Sequence, residues 1–124
     1  MAAAGRLPTL VACSANGRAV GFATLERDTP VAAEVHVMGV SRAGHGRDHG
    51  RRLLGEAERH LMAAGVRWLT VKTLAASHPD PHYARTRAFY EAVGTDPLEV
   101  FPTLWGEDAP CLLMVKPLAA SGRA

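Results

Sequence analysis

Glu34 and His36 stand two residues apart in the alternating run from Ala32 to Val40. A strand places both side chains on one face, together with Met38. A carboxylate beside an imidazole can take up and pass on a proton, which is the work of a general base; the same pair also suits a solvated strand face. Farther along, His45-Gly46-Arg47-Asp48-His49-Gly50 is followed by Arg51 and Arg52. Glycines there leave backbone N–H groups open, the arginines add charge-assisted donors, and a helix begins directly after. A strand, a glycine loop and a helix N-terminus in series form a place to hold phosphate, such as the pyrophosphate of a nucleotide-bearing cofactor. A plain turn before a helix has the same pattern. Tyr90 shares an apolar helical stripe with Tyr83, Thr86, Phe89 and Val93, where a phenol either packs in the core or offers a proton.

These groups need a scaffold, and the periodicity supplies one. Leu7 to Ser14 reads as a strand, Asn16-Gly17 as a hairpin turn, and Ala19 to Arg27 as the returning strand. A second turn over Asp28 to Pro30 leads to a third strand, Ala32 to Val40, so the chain opens as an antiparallel meander. From Arg47 the period becomes helical: Leu53, Leu54, Ala57, Leu61 and Ala64 line one face, and Gly65 sits where a left-handed cap belongs. Trp68 to Leu74 alternates as a strand, and the crossover through a helix predicts it parallel to its predecessor. Asp80 and Pro81 form an N-cap and a first helical position. That helix is expected to run to about Val93 and to stop at Gly94. Leu98 to Phe101 and Cys111 to Lys116 are two closing strands. The order βββαβαββ is an α/β domain around one mixed sheet.

Composition bounds the rest. One chain of 124 residues, 48% apolar, holds material for a single core, and no apolar run nears the roughly 20 residues of a membrane span. Arg6 followed by an apolar run broken by Pro8 is a poor secretory leader. Cys13 and Cys111 form no metal-spaced pair and read as reduced thiols, which predicts a cytoplasmic protein. A net charge of +2 does not argue for nucleic acid. The arginine cluster at 42, 47, 51 and 52 lacks interleaved aromatics and is offset by Glu56 and Glu58. His45 with His49, and His78 with His82 around Asp80, share no evident geometry, so no metal is expected.

Val40 through Leu54 resembles the acyl-CoA-binding motif of the GNAT acetyltransferase superfamily, in which a strand passes through a short loop into Gln/Arg-x-x-Gly-x-Gly/Ala at a helix start. Ala88 to Gly94, AFYEAVG, resembles the Phe-Tyr-x-x-x-Gly segment of the same superfamily. The likeness runs from the family's second strand to its last and implies one GNAT-like domain over residues 1–124. It implies transfer of an acetyl group from acetyl-CoA to a primary amine, small or on a protein, by direct attack in a ternary complex. It further implies Glu34 or His36 as base, Tyr90 as the acid that protonates the departing sulfur, and the backbone of Met38, Gly39 and Val40 as partner of the pantetheine arm. An N–H of that strand is the implied oxyanion donor. His45, Gly46, Arg47, Asp48, His49, Gly50 and Arg51 become the implied pyrophosphate cradle.

The resemblance has departures. His45 replaces the usual Gln or Arg, and Asp48 replaces the first glycine. A carboxylate about 5 Å from the pyrophosphate, at an effective dielectric of about 20, costs roughly 3 kcal/mol, near a hundredfold in affinity. Tyr83 stands where many relatives carry Asn. The family's first strand and following two helices have no counterpart, which predicts an uncovered apolar sheet surface and a homodimer. Two other readings follow: a catalytically weak CoA-binding domain of the same family, and a nucleic-acid-binding module.

Overall fold

Asn16 and Gly17 turn the chain as expected. Gly17 has φ +83°, a conformation that side chains resist, and Asn16 Oδ1 accepts the Arg18 N–H at 3.2 Å. The structure, a computed structural model, describes residues 5–7, 9–13, 16–41, 49–77 and 80–118. Its elements in order are β1 (Gly5–Arg6), β2 (Leu10–Cys13), β3 (Ala19–Thr29), β4 (Ala32–Val40), α1 (His49–Ala63), β5 (Trp68–Leu74), α2 (Pro81–Ala92), β6 (Asp96–Phe101) and β7 (Cys111–Pro117). The expected order holds, with one difference: the first strand comes in two pieces. Pro8, between the two pieces in sequence, lies outside the described residues. The Leu7 N–H still bonds to the Leu25 carbonyl at 3.0 Å. Ser14 lies outside the described residues.

The chain forms two compact units, residues 1–69 with 117–124, and residues 70–116. In the first, β1 and β2 both pair antiparallel with β3, and β3 pairs antiparallel with β4. This is the expected meander. Ala23, Leu25, Ala33 and Val35 are buried on one sheet face, and α1 packs there with Leu53, Leu54, Ala57 and Leu61. Gly65, at φ +89°, ends the helix. Its N–H bonds to the Met62 carbonyl, and the next N–H, of Val66, reaches back to Leu61, both at 3.0 Å. That pattern satisfies carbonyls a helix end would otherwise orphan. Arg27, buried, donates from one terminal nitrogen to the carbonyls of Pro30 and Ala64, each at 2.7 Å. It thereby ties the β3–β4 turn to the end of α1.

In the second unit β5 continues from Thr70, and the strand order is β5, β7, β6, with β6 and β7 antiparallel. Asp80 caps α2 by accepting the His82 N–H at 2.9 Å, and Gly94, at φ +98°, follows its end. Arg87 of α2 donates to the Leu74 carbonyl at 2.7 Å. Tyr90 is the residue of α2 most fully buried. β6 starts at Asp96, two residues earlier than expected, and so includes Pro97. It is last in the strand order and exposed along nearly its whole length, the setting in which a strand tolerates proline.

Candidate active site

The β3–β4 turn sets where Glu34 and His36 meet the neighbouring strand. Counting back from that turn, Arg27 lies opposite Ala33, Glu26 opposite Glu34 and Leu25 opposite Val35. The register then slips. Thr24 lies opposite Val37, so β4 carries one extra residue, His36, against β3. This is a β-bulge, which breaks the ladder for one residue and re-aims side chains.

The bulge corrects one expectation. Glu34 and Met38 do not share a sheet face. Glu34 is paired with Glu26 and Met38 with Ala23; these partners sit three apart on a regular strand, hence on opposite faces. Met38 joins the Ala23 side, where α1 packs. Glu34 and His36 do come together: their side-chain ligand atoms and those of Glu26 all lie within 4.8 Å of one another. His36 Nδ1 is 3.8 Å from Glu26 Oε1, with the two side chains 44% and 30% exposed. Glu34 is 9% exposed. Such a group can accept a proton, share it and hold the resulting positive charge near carboxylate. Glu26 was not singled out from the sequence. Its signal was the turn at Pro30, since counting equal steps either side of it pairs residue 26 with residue 34.

Downstream of the bulge, Met38, Gly39 and Val40 pair with Ala23, Phe22 and Gly21. The approach here is close. A Cβ on Gly21 would sit 3.0 Å from the Gly39 carbonyl oxygen, and one on Gly39 would sit 3.0 Å from the Phe22 ring. His49, Gly50 and Arg51 form the first turn of α1, which contains no acidic residue and carries the positive end of the helix dipole. His45, Gly46, Arg47 and Asp48 lie outside the described residues.

Tyr90 belongs to the second unit. Its ring meets Phe89 edge-on, with centroids 5.3 Å apart and planes at 65°. Burial raises the phenol pKa above its ordinary value of 10.0, because the phenolate would lose its hydration. The hydroxyl therefore stays protonated at every physiological pH and retains a proton to give. Tyr83, half-buried on the same helix, stacks edge-on against His82 at 5.2 Å.

A family model described as the acetyltransferase (GNAT) family matches residues 2–95. Among solved structures, a Desulfovibrio desulfuricans protein assigned to that family superposes with a TM-score of 0.80 at 21% identity, covering 93% of this chain and 70% of that one. An aminoglycoside 6'-N-acetyltransferase complexed with coenzyme A gives 0.74 at 20% identity, covering 90% and 72%. Nourseothricin acetyltransferase gives 0.77 at 20%, covering 90% and 65%. At these identities the likeness is one of fold, an α/β arrangement on a mixed sheet. No curated protein sequence matches the chain.

Proposed function

The chain belongs to the GNAT acetyltransferase family, and from that premise we propose that it moves an acetyl group from acetyl-CoA to a primary amine by direct attack in a ternary complex. The observation that carries the chemistry is the meeting of the Glu34 carboxylate with the His36 imidazole on β4. One of these takes the amine's proton as nitrogen attacks the thioester carbonyl. A backbone N–H of β4 near Met38 to Val40 receives the oxyanion, and the backbone of that segment pairs with the pantetheine arm. Tyr90 gives its proton to the leaving sulfur. The cradle for the pyrophosphate is His45 to Arg51, where the first turn of α1, free of acidic residues, supplies N–H groups.

No helix among the described residues is long and apolar enough to cross a membrane, and with two free cysteines we place the protein in the cytoplasm. Val11, Phe22 and Val37 are exposed and, through the pairs Val11 with Phe22 and Thr24 with Val37, share the sheet face turned from α1. That uncovered apolar surface supports a homodimer. No nucleic acid is required.

Steady-state release of free coenzyme A, measured over a panel of small amines and lysine peptides, tests the activity. The proposal expects acetyl-CoA-dependent turnover with at least one class, and none anywhere on the panel contradicts it. Asp48 favours a second reading, a CoA-binding domain with weak catalysis. Calorimetry with coenzyme A separates the two: tight binding without turnover selects the second.

A further inference from the structure

Glu26 reaches the site through register alone. It sits directly across from Glu34 in the β3–β4 ladder, an arrangement of like charges that ordinarily destabilises a strand pair. The His36 bulge brings an imidazole to this pair, with Nδ1 3.8 Å from Glu26 Oε1. We propose that His36 is the base of the acetyl-transfer site and that Glu26 is its positioning residue; this rests on the acetyltransferase reading above.

Exposure separates the two candidate bases. Glu34 is buried, whereas His36 is exposed, so an incoming amine meets the imidazole. A carboxylate facing Nδ1 holds the ring proton there and leaves Nε2 as the nitrogen with a free lone pair. The 3.8 Å separation exceeds a hydrogen bond. Contacts of this kind commonly tighten once substrate is bound. The step balances without any other reactant. As the amine nitrogen bonds to the acyl carbon, its proton passes to Nε2, and the imidazolium is held beside the Glu26 carboxylate. The C–S bond breaks as Tyr90 protonates the sulfur. The imidazolium proton then returns through solvent to the phenolate, leaving amide and free thiol.

The bulge explains why Glu26 rather than another acid does this. In a regular ladder residue 36 would face residue 24. The extra residue breaks that pairing and brings the ring to Glu26.

The test uses the full chain and four variants: Glu26→Gln, Glu26→Asp, His36→Gln and the double variant E26Q/H36Q. Nitrogen-15 NMR of the imidazole needs no turnover. The neutral His36 ring is expected as the Nδ1–H tautomer in the native protein and should shift toward Nε2–H in E26Q. In the amine assay E26Q should lower kcat on the order of 10- to 100-fold, a part of the ~100- to 10,000-fold a positioned base supplies. KM for acetyl-CoA should not move. E26D should recover most of the rate, and E26Q should cost nothing further in the H36Q background. An unchanged ring tautomer in E26Q, or additive losses in the double variant, would overturn the proposal. A tautomer shift in a protein that turns over no amine upholds the role of Glu26 and instead removes the acetyltransferase reading.

Discussion

Tyr90 carries two separable consequences of burial. As a proton donor its loss should be costly: Tyr90→Phe is expected to lower kcat ~100-fold or more with an unchanged circular dichroism spectrum. Its second consequence concerns stability. Burial raises the phenol pKa in the folded chain above 10.0, so between the unfolded and folded values the native state binds more protons than the unfolded one. Stability is then full below about pH 10 and falls as pH rises through the folded value. Urea melts from pH 9 to 11 should show the native protein losing more stability than Tyr90→Phe. Equal losses would mean that the hydroxyl is not the group responsible.

Helix ends were legible in the sequence because each is a local event. Asp80-Pro81 and the two glycines at 65 and 94 act through backbone angles and N–H groups a few residues away, so their chemistry can be read from the chain alone. Asp80→Ala should cost about 1 kcal/mol in chemical denaturation. The site was legible only in part. Nothing in the alternation of Glu34, His36 and Met38 distinguishes a regular strand from a bulged one. The register on either side is set by which partners bury best: Leu25 with Val35, and Ala23 with Met38. That is a property of two strands and a helix together. The close approach of Gly21 to the Gly39 carbonyl is likewise tertiary. Gly21→Ala would place a methyl group 3.0 Å from the Gly39 carbonyl oxygen, so the backbone there must give by a few tenths of an ångström, and should destabilise by roughly 1–3 kcal/mol. A melt indistinguishable from the native protein's would show that the strands part more easily than this.

At the scale of the molecule, the sheet face turned away from α1 is chemically divided. Glu26 and Glu34 occupy it toward the β3–β4 turn, and Val11, Phe22 and Val37 occupy it beyond the bulge. The charged part suits acid–base work, while the apolar part supports the proposed homodimer. Phe22→Ser should therefore weaken concentration-dependent association in light scattering and leave the monomer folded. Dimerisation unchanged by that substitution would assign the contact to another surface.

His36 is the one residue of β4 with no partner opposite it on β3. Val35 and Met38 already reach their buried partners, and Val37 already has Thr24 opposite. Excising His36 would let the β3–β4 ladder close over the gap with each of its other pairs kept. A strand that keeps a spare link in this way frees one position from the demands of the interior, and the chemistry there can be altered without rebuilding the sheet.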